Sequence, residues 1–343
     1  MDRVQKLNLA GLSKGDYAAS PSTLCKGCGH NSIASQIIQV CYDLSLRPQD
    51  VIKLSGIGCS SKSPAYFLGQ SHGFNSLHGR MPSLGTGALQ ANHRVRAIGI
   101  SGDGDTGSIG LGQFKHMVRR NVRMAYVVEN NGVYGLTKGQ FSATAEHGQD
   151  LKYAGHNDFP PIDVAVEAIV AGAGFVARSF AGDAKQVREL LKAAMSFRGL
   201  AVLDIISPCV AFNDEDDSRK SYAWGRANER ALQELGYVAP QDEIFIEDYD
   251  PGTTSVVELH DGSRLTLRKL EAEYEPNDRL RALERLRRGE ENGELVTGLL
   301  YYDDSRPSLA EVSGFGETPL SQLPDGSLRP GPEALSSFLA SYA

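Results

Sequence analysis

Between residues 51 and 206 the chain alternates short apolar runs with longer amphipathic stretches. The runs 51–55, 96–101, 122–128, 175–180 and 200–206 are rich in Val, Ile, Ala and Leu and carry no polar period of two, the pattern of strands buried on both faces. Between them, apolar residues recur at helical spacing. Ile33, Ile37, Val40 and Leu44 mark a helix over 31–44, and Val187, Leu190, Leu191 and Ala194 mark one over 183–197. Further helices are predicted over 109–119 and 163–173. Strand and helix in alternation predict an α/β fold, a doubly wound and mainly parallel sheet, with 200–206 closing the series.

The pattern changes beyond that point. The acidic run 213–218 leads to a predicted helix over 222–235, and 256–259 and 264–267 flank His260-Asp261-Gly262-Ser263, a hairpin signal. Asn277 or Asp278 caps a helix running through 288, with Leu280, Leu283 and Leu286 on its buried face. From 306 the chain carries Pro307, Pro319, Pro324, Pro330 and Pro332, which predicts a tail that is extended over a neighbour or mobile. The expected organisation is an N-terminal lead over 1–22, a cofactor-binding domain over 23–213, a C-terminal extension over 214–305 and a tail over 306–343.

The most informative chemistry lies in 101–140. Gly102-Asp103-Gly104 ends one predicted strand, and Glu129-Asn130-Asn131-Gly132-Val133-Tyr134 follows the next. In a parallel sheet both loops emerge at the same edge, so Asp103 and Asn131 can converge on one point. Magnesium favours hard oxygen donors together with phosphate oxygens. Asp103 offers a carboxylate, Asn131 an amide oxygen and Val133 a backbone carbonyl, while Gly102 and Gly104 allow phosphates close to the main chain. The pattern specifies a magnesium diphosphate site, and the paired GDG and NN resemble the signature of thiamine diphosphate enzymes.

The five cysteines add a second centre. Residues 1–16 have no signal-peptide pattern and the cysteine count is odd, so a disulfide framework is not expected. Cys25 and Cys28 form a C-x-x-C in a glycine-rich turn, and Cys59 and Cys209 each follow a predicted strand. Four thiolates suit a cubane iron-sulfur cluster or a structural zinc, and spacing does not separate the two. A redox cluster beside a thiamine site can accept electrons one at a time, which zinc cannot. Cys41 sits on the apolar face of its helix and reads as a core thiol.

With both features in place, the chain resembles the beta subunits of the 2-oxoacid:ferredoxin oxidoreductases over roughly 20–215. The resemblance is carried by CKGCGH at 25–30, GIGCSSK at 56–62, LHGRMPSLGTGALQAN at 77–92, GDGDTGSIG at 102–110, ENNGVYGLTKGQ at 129–140 and SPCVAFN at 207–213, and no matched position departs from the pattern. It implies the thiamine diphosphate-binding fold with one 4Fe-4S cluster on Cys25, Cys28, Cys59 and Cys209, and magnesium on Asp103, Asn131 and the Val133 carbonyl. Gly58, Cys59, Ser60, His78, Gly102, Asp103, Gly104, Asp105, Asn131, Val133, Tyr134, Gly135, Leu136 and Thr137 are the expected cofactor-binding residues. The implied reaction is reversible, coenzyme A-dependent oxidative decarboxylation of a 2-oxoacid, with ferredoxin as acceptor. An alpha subunit would supply the aminopyrimidine-binding domain and activating glutamate, in an αβ or (αβ)2 assembly. The 134–140 loop resembles the 2-oxoglutarate members more than the pyruvate members. Lys62, Arg80 and Lys138 are candidate cations for a substrate carboxylate, and His78 and Leu136 candidate substrate contacts. The alternative is a non-redox thiamine carboligase or decarboxylase with a structural metal at the cysteines.

At 343 residues the chain can bury a full α/β core. Its formal net charge of −7 argues against nucleic acid as a partner, and no window approaches the roughly 20 apolar residues of a membrane helix. A soluble, cytoplasmic protein is expected.

Overall fold

The computed structural model describes residues 6–151, 154–207, 209–211, 244–258 and 264–342. The first half runs through α1 (Gly29–Asp43), β1 (Val51–Ser55), β2 (His72–Asn75), α2 (Met81–Ala91), β3 (Arg96–Gly102), α3 (Leu111–Arg120) and β4 (Met124–Asn130). Two small hairpins follow, β5 (Val133–Tyr134) with β6 (Gln140–Phe141) and β7 (Asp150–Leu151) with β8 (Gly155–His156). The second half contains α4 (Val164–Ala171), β9 (Phe175–Phe180), α5 (Ala184–Ser196), β10 (Leu200–Ile206), β11 (Thr254–Glu258), β12 (Arg264–Lys269), α6 (Arg279–Glu291) and β13 (Glu294–Tyr302).

One nine-stranded sheet, ordered β11-β12-β13-β9-β10-β4-β3-β1-β2, forms the frame. From β9 through β2 every neighbouring pair is parallel. Successive side chains on these strands point to opposite faces, and both faces are packed. Val128 and Val202 lie in the core that includes α3, α4 and α6 residues, whereas Val127 and Leu203 lie in the core that includes α1 and α5 residues. Asp163, Asp183 and Asp278 accept backbone N–H bonds at the N-termini of α4, α5 and α6, which fixes where those helices begin. Among the described residues no helix is long and apolar enough to cross a membrane.

The parallel strands and their helices agree with the alternation in the sequence, but the sheet does not close at 200–206. β13 pairs antiparallel with β9, and β12 and β11 extend that edge, so the C-terminal region joins the main sheet. Its signal is weak because β13 contains Gly298 at φ 122° and a register shift between Leu299 and Tyr301. β2 also escapes a hydrophobic reading, since all four of its residues are exposed at the opposite edge. α3 starts at Leu111 rather than 109, because Gly104–Ile109 forms a π-helical turn first.

The tail is neither uniformly extended nor detached. Asn121 Nδ2 donates to the Arg306 and Pro307 carbonyls at 3.1 Å, and Ser308 and Glu311 form a capping box for a short helix over Leu309–Val312. Pro332 opens another helix, Pro332–Ala340, where a missing N–H costs nothing. The helix expected over 222–235 and the turn at 260–263 lie outside the described residues, while the strands flanking that turn do pair antiparallel.

Candidate active site

The loops after β1, β3 and β4 leave the sheet at one edge, because these strands are parallel neighbours in the order β4-β3-β1. There they enclose a cleft of about 490 Å³, counting its open mouth. Gly58, Cys59 and Ser60 line it from the first loop, Gly102, Asp103, Gly104 and Asp105 from the second, and Asn131, Val133, Tyr134, Gly135, Leu136 and Thr137 from the third. His78 completes the set expected from the sequence.

Asp103 links two of these loops. Its Oδ1 accepts the Asn131 backbone N–H at 3.2 Å, and its Oδ2 accepts the Thr144 hydroxyl at 2.8 Å and the Ser142 hydroxyl. Burial pushes the Asp103 carboxyl above its usual range, and those hydrogen bonds only partly offset it. Asn131 Oδ1 accepts the Val133 N–H at 3.1 Å, an Asx turn that brings residue 133 back to the same cleft.

Asp105 braces the walls. Its Oδ1 lies 2.6 Å from His78 Nδ1 and accepts the Gly79 N–H at 2.7 Å, while its Oδ2 accepts the Ser101 hydroxyl at 2.7 Å. Tyr134 closes over Gly104: its hydroxyl donates to the Gly104 carbonyl at 3.1 Å, and a Cβ on Gly104 would stand 2.4 Å from the tyrosine ring. The Tyr134 and His78 rings meet edge to face at 5.8 Å. Ser60 Oγ is buried and has no hydrogen-bond partner among the described residues, and it lies 3.1 Å from where a Gly102 Cβ would be. An orphaned hydroxyl beside a side-chain-free strand end fits a ligand rich in acceptor oxygens.

Three further residues, Ile57, Glu129 and His30, line this cleft, and sequence reasoning did not assign them to it. Glu129 is wholly buried at the end of β4, where both carboxyl oxygens lie 2.9 Å from the Ser63 hydroxyl. His30 sits below it, with Nε2 3.7 Å from Glu129 and Nδ1 2.6 Å from Ser207 Oγ. Desolvation raises the Glu129 pKa well above its usual value and lowers that of His30 to about 4, so His30 is uncharged at neutral pH. The available signal for Glu129 was an acid ending an otherwise apolar strand.

The candidate substrate cations divide differently. Lys62, Arg80 and Lys138 do not line the cleft. Lys62 is half-buried and close enough to Cys59 to lower its thiol pKa against the larger effect of burial. Arg80 is exposed at the start of α2, and Lys138 is exposed in the left-handed conformation at φ 77°.

All five cysteines are unbridged. Burial raises the Cys28 pKa; the His30 backbone N–H opposes this, and nearby Glu129, Cys209 and Cys25 add to it. Cys25 likewise acts on Cys59, so Cys25, Cys28, Cys59 and Cys209 share one neighbourhood at the rim of the sheet edge. Among the described residues no three His, Cys, Asp or Glu side chains form a compact set for a single metal ion. Cys41 is buried in the core beneath α1, its thiol pushed up to about 12, as a packing residue would be.

Residues 56–205 match the family of thiamine pyrophosphate enzymes, C-terminal TPP binding domain. The chain is 41% identical over 194 residues to a 2-oxoacid:ferredoxin oxidoreductase subunit beta of Saccharolobus solfataricus, a match covering 55% of this chain and 63% of that one. It is 32% identical over 193 residues to the 2-oxoglutarate synthase subunit KorB of Methanocaldococcus jannaschii, covering 56% of this chain and 71% of that subunit. The chain belongs to the 2-oxoacid:ferredoxin oxidoreductase beta-subunit family. Its fold is similar to a chain of the 2-oxoglutarate:ferredoxin oxidoreductase from Magnetococcus marinus with 2-oxoglutarate, coenzyme A and succinyl-CoA bound, at a TM-score of 0.70, 28% identity and coverage of 95% and 96% of the two chains. The matched cofactor domain contains every residue that lines the cleft except His30.

Proposed function

We propose that this chain is the thiamine diphosphate-binding subunit of a 2-oxoacid:ferredoxin oxidoreductase. Asp103, Asn131 and the Val133 carbonyl would hold magnesium, and Ser60 with the glycine turns would meet the diphosphate. The observation that carries this reading is the convergence of Asp103, Asn131 and Val133 on a cleft containing the unpartnered Ser60 hydroxyl. Thiamine diphosphate, when bound, supplies the electron sink that decarboxylation of a 2-oxoacid requires.

Cys25, Cys28, Cys59 and Cys209 would bind one 4Fe-4S cluster, a reading supported by the closeness of Cys25 to both Cys28 and Cys59, of Cys209 to Cys28, and by Cys59 also lining the cleft. The reaction is then oxidation of a 2-oxoacid with coenzyme A to acyl-CoA and carbon dioxide, two electrons passing singly to two ferredoxins, and it is reversible. 2-Oxoglutarate is favoured over pyruvate. The KorB relative and the ligands of the Magnetococcus enzyme support that choice. His78, Tyr134 and Leu136 would form walls against which a substrate is held, with the buried Glu129 and His30 beside them. Lys62, Arg80 and Lys138 would meet substrate carboxylates once the partner covers the cleft. That partner is an alpha subunit carrying the aminopyrimidine-binding domain and activating glutamate, in an αβ or (αβ)2 assembly acting in the cytoplasm.

The test is titration of the assembled, cofactor-stripped complex with thiamine diphosphate, with and without magnesium. Saturable binding that requires magnesium and disappears in Asp103→Ala is expected. Metal-independent binding, or binding unchanged in Asp103→Ala, would overturn the assignment.

A further inference from the structure

A row of polar side chains, buried at its centre, crosses the sheet toward Asp103. It begins at the α4 N-terminus, where Asp163 accepts the Val166 N–H at 3.0 Å and pairs with Arg178 of β9. Arg178 Nε donates to Asp204 Oδ2 of β10 at 2.9 Å, and these two residues are direct cross-strand partners. Asp204 Oδ1 accepts from Asn130 Nδ2 of β4 at 2.9 Å. Thr144 Oγ1 then lies 2.9 Å from Asn130 Oδ1 and 2.8 Å from Asp103 Oδ2. Thr144 has one hydroxyl proton for these two acceptors, so it bonds one at a time; what the geometry fixes is its position between them.

Arg178, Asp204 and Asn130 are all buried, at 5%, 1% and 8% exposure, so each polar group depends on its neighbours in the row. Their strands are adjacent in the order β9-β10-β4, which makes the row as rigid as the sheet. The loop that bears Ser142 and Thr144 has little regular structure beyond the two-residue β6 at its start. Backbone N–H bonds from Ser142 to the Gly132 carbonyl and from Ala143 to Ser108 Oγ hold this loop, and Asn130 Oδ1 gives Thr144 a contact fixed to the sheet.

We infer that Thr144, anchored through Asn130 to the buried Asp204–Arg178 pair, is a positioning residue that orients the Asp103 carboxylate for its cation. The inference rests on Asp103 being a metal ligand. Partners behind a metal ligand fix its orientation, and their loss lowers metal affinity about 10–100-fold. None of Thr144, Asn130, Asp204 and Arg178 lines the cleft.

The experiment uses Mn2+ as probe. The full chain, assembled with the subunit that co-purifies with it and stripped of metal, is titrated with Mn2+ in saturating thiamine diphosphate, and bound metal is read by electron paramagnetic resonance. Thr144→Val is expected to weaken Mn2+ binding about tenfold, and Thr144→Ser to restore it, at unchanged apo melting temperature. Asp204→Asn should weaken binding in the same direction; if that variant does not fold, the Thr144 pair alone decides. Asp103→Ala separates the two levels. If it leaves Mn2+ affinity unchanged, the metal-ligand reading fails. If it weakens binding while Thr144→Val does not, or if Thr144→Ser behaves like Thr144→Val, the positioning role is overturned.

Discussion

Asp105 occupies the space a side chain on Gly56 would fill: a Cβ built there would lie 1.6 Å from Asp105 Oδ2. The absence of a side chain after β1 is what admits the carboxylate that joins His78, the Gly79 N–H and Ser101. Gly56→Ala must expel Asp105 and leave buried donors unpaired, at about 1–3 kcal/mol for each group stranded. Thermal unfolding should show a marked loss of stability, accompanied by weaker thiamine diphosphate binding. A variant with native melting temperature would contradict this packing.

Ser60 makes the opposite prediction. Its buried hydroxyl has no partner among the described residues, so Ser60→Ala removes no bond seen there and should leave the apo protein as stable as the parent, or slightly more so. If the hydroxyl serves a bound diphosphate, the same change weakens cofactor binding by about 1.5–3 kcal/mol, the worth of a hydrogen bond to a charged group. Calorimetric titration beside a melting curve measures both. Loss of stability without loss of affinity would show that Ser60 has a structural partner instead.

The central part of this architecture was readable from the sequence because it rests on strong local signals. Strands buried on both faces leave apolar runs, Asp163 and Asp183 mark helix starts, and GDG with NN reports a turn geometry that few other residues satisfy. What escaped was written in pairings rather than in runs. β13 is disguised by Gly298 and a register shift, and β2 by its exposed edge position. Glu129 and the Arg178–Asp204 pair are acids and a base inside strands, and only their partners show how they are accommodated, Ser63 for Glu129 and the neighbouring strand for Arg178. Docking of the tail depends on Asn121, nearly two hundred residues away, which composition does not reveal.

Lys53 links stability to pH. Its ammonium is buried on β1, donates to the Pro64 and Phe67 carbonyls at 2.7 and 2.8 Å, and stands over the Phe67 ring. Lys53→Met strands both carbonyls and should destabilise the fold by about 2–5 kcal/mol. Burial lowers the pKa of this lysine, so between its folded and unfolded values the unfolded chain binds more protons. The parent's stability advantage over Lys53→Met therefore grows as pH rises through that window. Chemical denaturation across a pH series reads it, and an advantage that shrinks with rising pH would refute it.

Lys138 carries a specificity prediction. It is exposed just beyond the Leu136–Thr137 wall of the cleft, in a left-handed turn that holds it at the rim. If it pairs with the distal carboxylate of 2-oxoglutarate, Lys138→Met raises KM for that substrate about tenfold, the loss of one charge-assisted contact, and leaves KM for pyruvate unchanged. An equal change for both substrates would remove Lys138 from substrate selection.

The most direct test of the whole account is anaerobic purification of the chain with its partner subunit, analysis for iron, sulfide and thiamine, and addition of 2-oxoglutarate and coenzyme A while the cluster absorbance is followed. The account predicts about four irons per chain, bound thiamine diphosphate, and bleaching that requires both substrates and recovers when oxidised ferredoxin is added. Zinc in place of iron, or an iron centre whose absorbance no 2-oxoacid alters, would contradict it and favour a non-redox thiamine enzyme.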